Sequence, residues 1–309
     1  MAAGELAPRP VSARQINVAA RDRRNRQALH AAARSGHARA TACLLRHRAR
    51  VNFTDTGGRT ALHHAIHAKT PDVCKILLDA RAMPNYPDNE GTTPLIQAVE
   101  SNQPSIMQSL IDHGAVIGAC NLEGQTVLAI AARNGHIEAA RLLLSLKRLP
   151  INASDHSGVT ALGEAAASNH PDIVLELIRH RASIEARDDD GATPLMIAAE
   201  WNSYDAASVL LAQSAMVDAR DDSGQTALHK AAGQACRGMV ALLLRHRANP
   251  DIADNHGTTP AVHALLQHGT TLEDLLPLPP WWANIDREQD QEMPGNAINV
   301  WNADGVLPF

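Results

Sequence analysis

His63 and His67 stand one helical turn apart, and Cys74 follows seven residues later. Imidazole and thiolate side chains at such spacing are the ligand types of a zinc site. Cys74, however, falls on the apolar column of Val73-Cys74-Lys75-Ile76-Leu77-Leu78, where it reads as core, so no metal is expected. The run Asp188-Asp189-Asp190-Gly191 mimics part of a calcium loop. Ala186 takes the place of the first ligand and Ile197 that of the bidentate Glu, which argues for an acidic turn instead. Sixteen histidines invite an acid–base reading, but most are scattered over loop and helix-end positions. No GxSxG, P-loop, GxGxxG or HExxH string occurs. The sequence therefore predicts no catalytic residues, no cofactor and no small-molecule substrate. Arg21-Asp22-Arg23-Arg24-Asn25-Arg26 could hold phosphates or serve nuclear import, but a solvated N-terminal face, which needs no function, is the favoured reading.

The elements that would position any such residues are Ala- and Leu-based. Hydrophobic residues make up 45% of the chain and aromatics only 3%, a balance that favours short, close-packed helices. No apolar run approaches the length of a membrane span, and no secretory signal is visible at the N-terminus. Cys43, Cys74, Cys120 and Cys236 form no CxxC pair and read as free thiols, pointing to a cytoplasmic and/or nuclear protein. Charge is uneven. Residues 1–50 hold eleven Arg against Glu5 and Asp22, a balance of +9, which leaves −14 on the rest of a chain whose net charge is −5. A basic head on an acidic body suits nuclear import, nucleic acid or an acidic partner.

A period decides the architecture. Thr-Ala/Pro-Leu or a close variant recurs at Thr60, Thr93, Thr126, Thr160, Thr193, Thr226 and Thr259, anticipated by Gln27-Ala28-Leu29-His30. The intervals are 33, 33, 33, 34, 33, 33 and 33 residues. Asp or Asn stands five residues before each Thr and Gly two before, which is turn chemistry. The Thr then caps a short Ala-rich helix, with Pro at the first helical position in Pro94, Pro194 and Pro260. A break at Gly36 or Gly135, or a helix-starting Pro71, Pro104 or Pro171, opens a second helix. Leu-rich triplets such as Leu142-Leu143-Leu144 and Leu242-Leu243-Leu244 end it. One helix pair cannot bury that face alone, so neighbours must stack into an all-α repeat solenoid.

Asp-x-x-Gly-x-Thr-Pro/Ala-Leu at this period, with its Leu triplets, resembles the ankyrin repeat. The resemblance implies eight helix-turn-helix repeats with β-hairpin turns over residues 21–276, the last one incomplete. Residues 1–20 form a basic lead, and residues 277–309 an acidic tail that holds Trp281, Trp282 and Trp301. It also implies a concave protein-binding surface built from hairpin tips and first-helix ends, and it makes His63 a structural residue. The family's Gly after the second helix survives as Gly114. Arg48, Arg81, Arg181 and Arg247 replace it, either as strained helix ends or as an anion-seeking stripe. The second helix of the last repeat spans Thr271 to Leu276, because Pro277, Pro279 and Pro280 cannot continue it.

The residues free of stacking are the candidates for binding a partner protein. At the ends of the first helices they include Arg133, Glu200 and Trp201, with Tyr204 three residues beyond. An exposed Trp-Tyr pair is a typical anchor, although Trp201 could instead fold onto a neighbouring helix as core. The hairpin arms offer Phe53 and Tyr86, and the later tips are acidic at Asp189 and Asp222. Two functions fit: a scaffold or adaptor for another protein, or a transcription coregulator that reaches DNA only through a DNA-bound regulator. No zipper, zinc-finger or helix-turn-helix signal supports direct reading of DNA.

Overall fold

In the computed structural model the described residues are 18–146 and 149–269. They form two units that divide between Ile117 and Gly118. Each unit repeats one local design, which begins in the turn. Asp55 Oδ1 accepts the N–H groups of Gly57 and Arg59 at 2.9 and 3.0 Å. Asp88, Asp155, Asp188 and Asp254 each do the same for their own turn. The carboxylate thereby neutralises backbone donors that no regular ladder serves. Gly58 closes its turn at φ +75°, and a Cβ there would also lie 2.8 Å from the backbone N of Asn89 in the next turn. Glycine meets both demands. Within each unit the turns are joined to one another by single backbone bonds, such as Asn89 N–H to Gly57 O at 3.0 Å and Asp222 N–H to Asp190 O at 3.0 Å. Among the described residues the hairpins show isolated antiparallel bridges, Cys120 with Thr126 for example, and no strand.

The first unit contains the first helices α1 (Ala28–Arg34), α3 (Ala61–His67) and α5 (Pro94–Glu100). Their partners are α2 (Ala38–Arg46), α4 (Pro71–Asp79) and α6 (Pro104–Asp112). The second unit continues the alternation through α7 (Val127–Arg133), α8 (Ile137–Leu144), α9 (Ala161–Ala167) and α10 (Pro171–Arg179). It then runs on through α11 (Pro194–Glu200), α12 (Tyr204–Ala212), α13 (Ala227–Gly233), α14 (Arg237–Arg245) and α15 (Pro260–His268). The described residues thus hold seven helix pairs and one further first helix. The second helix expected at Thr271–Leu276 and the tail 277–309 lie outside them, as does the basic lead before residue 18.

Each first helix starts where the sequence places its cap. The hydroxyls of Thr93, Thr126, Thr160 and Thr193 accept an N–H from the first helical turn. Where His occupies the third helical position a second device appears. His63 Nδ1 accepts Thr60 N–H at 3.1 Å, so its proton sits on Nε2, which donates to Thr92 O at 3.3 Å. His229 repeats this from Thr226 N–H to Thr258 O, and His30 links Gln27 N–H to Phe53 O. Each ring therefore ties a helix start to a backbone carbonyl of the following hairpin arm.

The core runs through the small faces of the first helices and the Leu columns of the second. Leu77, Leu110, Leu143, Leu177, Leu210 and Leu243 are all fully buried. Burying each contributes roughly 1.5–3 kcal/mol, and the contact with neighbouring repeats makes this possible. The second helices end in the left-handed conformation at Arg48, Arg81, Arg181 and Arg247, with φ of +64 to +69°. Arg81 N–H reaches Leu78 O and Ala82 N–H reaches Leu77 O, so the helix-terminal carbonyls are satisfied despite the strain. The Arg column is thus a set of helix ends, and its side chains are exposed.

Candidate partner-binding surface

Trp201 follows the last residue of α11, and its N–H still bonds to Ile197 O at 3.1 Å. The backbone is fixed by the helix while the side chain is 70% exposed. It does not fold onto a neighbouring helix as core. Helix α11 lies between α9 and α13. At the positions equivalent to Trp201, those helices end in Ser168 and Gln234, so no other aromatic stands beside it in that column. Glu200 beside it is exposed, and so is Arg133 at the end of α7.

A set of hydrogen bonds holds the turn after Trp201. Asn202 takes φ +52°, and Ser203 N–H bonds to Ala198 O at 2.8 Å. The Ser203 hydroxyl donates to Ala167 O, also at 2.8 Å, which joins this turn to the end of α9. Asn169 then clamps the start of α12: its Oδ1 accepts Ala206 N–H and its Nδ2 donates to Asp205. Tyr204, the first residue of α12, is 40% exposed. A Cβ at Gly238 would lie 3.8 Å from its ring, so one ring edge borders the start of α14. The backbone that carries Trp201 and Tyr204 is therefore held by hydrogen bonds to the end of α9 and the turn after it.

Two other candidates sit on hairpin tips of the same unit. Asp189 and Asp222 are exposed, and their carboxylates lie over Gly158 and Gly191 of the preceding turns. A Cβ at Gly158 would come within 2.6 Å of Asp189 Oδ1. In the first unit Tyr86 is 38% exposed. Phe53 differs: Arg21 stacks its guanidinium 4.7 Å from the ring centroid, and the His30 ring meets it edge-on. Half-buried under that cation, Phe53 is less free than its place in a hairpin arm predicts.

Two of the three residues weighed for zinc are taken up by the fold. His63 has both ring nitrogens bonded within the fold, His67 is exposed, and Cys74 is fully buried. Burial pushes the Cys74 thiol up to about 12, far from a thiolate at neutral pH. Among the described residues no group of three metal-ligating side chains gathers. No helix there is long and apolar enough to cross a membrane.

Sequence reasoning did not find the side chains that lock one repeat to the next. Asn52 Oδ1 accepts Met83 N–H at 2.9 Å, Asn85 accepts Val116 N–H, and Asn152, Glu185 and Asp218 continue the series 31 residues apart. The polar column itself stands in the sequence eight residues before each Thr except Thr126, where Gly118 takes the place. Gln125 Nε2 also donates to Glu164 at 2.6 Å. Burial raises the Glu164 carboxyl, against the pull of Arg133 and the Gln125 bond.

Helix pairs stacked on one another, with an exposed indole at a helix end, define an all-α repeat solenoid. Family models described as ankyrin repeats match in tandem over residues 13–88, 81–155 and 145–221, and a further one over 210–264. The chain belongs to the ankyrin repeat family, whose repeats generally serve as protein–protein interaction modules. No curated protein matches it.

Proposed function

We propose that this protein is a non-catalytic scaffold or adaptor that binds another protein through the ends of its first helices, with Trp201 as the anchor. The observation that carries the reading is a tryptophan 70% exposed on a fixed helix end. Stacking does not use that ring, and a large rigid apolar side chain loses little entropy when a partner covers it. Tyr204 extends the apolar contact, while Glu200 and Arg133 supply charges for orientation. Asp189 and Asp222 add an acidic rim at the hairpin tips. In the first unit Tyr86, and Phe53 with Arg21 above it, form a second, basic-aromatic patch.

The free thiols of Cys43, Cys74, Cys120 and Cys236 suit a cytoplasmic or nuclear setting. The coregulator reading draws its support from the basic head and the acidic, Trp-bearing tail, and it adds DNA only through the protein bound. Capture with the intact chain and with Trp201→Ala, side by side from the same extract, tests the proposal. Proteins retained by the first and lost by the second, at equal melting temperature, support it. Retention of the same proteins by both would overturn it.

A further inference from the structure

The last described helix breaks a pattern that the rest of its unit keeps. Counting six residues from the Thr that opens each first helix gives Ala132, Ala166, Ala199 and Ala232, all fully buried. The same count in α15 gives Leu265, which is 52% exposed. The third position is buried at Ala129, Met196 and His229, yet Val262 there is 40% exposed. The seventh holds Arg133, Ala167, Glu200 and Gly233 in earlier helices, and in α15 it holds Leu266, 72% exposed. In the earlier repeats the next first helix covers this side: α9 on α7, α11 on α9, α13 on α11 and α15 on α13. Val262 and Leu265 thus stand exposed at positions that are buried in the earlier helices, and Leu266 adds a bulky apolar side chain at the position where Arg133 and Glu200 are exposed.

We infer that this face of α15 is covered by the Pro279-Pro280-Trp281-Trp282 segment of the same chain, which closes the stack in place of a further repeat. Beyond the short second helix expected at Thr271–Leu276, the sequence after Gly269 offers no further first helix. Thirty-three residues beyond Thr259 stand Glu292 and Met293, not a Thr-Pro-Leu string, and Pro277, Pro279 and Pro280 interrupt any helix before that. Two indoles match the need in size. Each buries on the order of 150–250 Å², against an apolar face of a few hundred Å² that soluble proteins ordinarily hide. The tether is ample. Trp281 lies twelve positions beyond Gly269, a link of about 30 Å even with Thr271–Leu276 helical, whereas nine helical residues extend about 14 Å. Such a link keeps the indoles at millimolar effective concentration, an advantage over any dilute partner. The adjacent prolines restrict the free segment, which lowers the entropy lost on docking.

Trp201→Phe with Trp301→Phe leaves Trp281 and Trp282 as the reporting indoles. The inference requires blue-shifted emission and shielding from acrylamide in the monomeric chain. Leu265→Ser with Leu266→Ser should then return both readings to those of free indole while helical circular dichroism persists. Should that variant unfold, Trp281→Ser with Trp282→Ser in the natural chain gives an independent reading: amide exchange in α15 should accelerate while α7 to α11 stay protected. Emission of fully exposed indoles, unmoved by the leucine substitutions, would overturn the inference. So would a stable dimer of the full chain that persists after residues 278–309 are deleted, because a second copy would then be the cover.

Discussion

Four histidines set the response to acid. His30, His63 and His229 are held below the usual imidazole range, chiefly by burial, with their hydrogen bonds to carbonyls pulling the other way. His64 is also lowered by burial despite lying 2.9 Å from Asp55, so that contact is a hydrogen bond from a neutral ring. As pH falls through about 6.5, the unfolded chain binds protons that the folded chain does not. Stability is therefore complete above that pH and declines below it. Asp55 adds a later loss. Burial would raise its carboxyl, but bonds from His64, Arg59 and Gly57 hold it below 3.8, so its contribution fades in stronger acid. Melting midpoints between about pH 8 and about pH 5 should fall on the acid side, and His63→Gln should flatten the curve. A level profile would contradict the neutral-ring assignment. At this scale the sequence was informative about type and silent about surroundings. The caps of Thr93 and Asp55 follow from neighbours two to four residues away. That Trp201 points outward and Phe53 lies under Arg21 depends on groups the chain brings close only on folding.

At the scale of the element, the turn glycines separate two effects that usually occur together. Gly158 and Gly257 share nearly the same φ, +77° and +79°. A Cβ on Gly158 would meet the backbone N of Asp189 at 2.6 Å, whereas one on Gly257 meets nothing within 4 Å. Gly257→Ala should thus cost about 1–2 kcal/mol, the penalty of a left-handed residue. Gly158→Ala should cost a further 1–3 kcal/mol for displacing the next turn. Equal losses in denaturant titrations would show that the turns do not seat on one another as described. The 33-residue period made the helices, their caps and the left-handed Arg ends legible, because each is decided within one repeat. The Asn52-to-Met83 locks and the Gln125–Glu164 bond were not, since they join residues 31 and 39 apart. The hairpins, read as β arms, close with turns and single bridges instead, because the Asp carboxylate satisfies donors that a ladder would otherwise take.

For the molecule, repeat architecture means that stability is a sum of local and nearest-neighbour contributions. Leu143, fully buried in α8, belongs to the second unit, which begins at Gly118. Leu143→Ala should cost about 2–5 kcal/mol and divide unfolding into more than one transition. An undivided transition at an unchanged midpoint, followed by calorimetry and circular dichroism, would contradict this. The central claim is that the indole of Trp201 serves a partner rather than the fold, and titration calorimetry tests it most directly. With the principal protein captured by the intact chain, Trp201→Ala should weaken binding by more than about 2 kcal/mol, roughly thirtyfold, and leave the melting temperature where it was. Unchanged affinity together with a large drop in melting temperature would contradict the account and return Trp201 to the core.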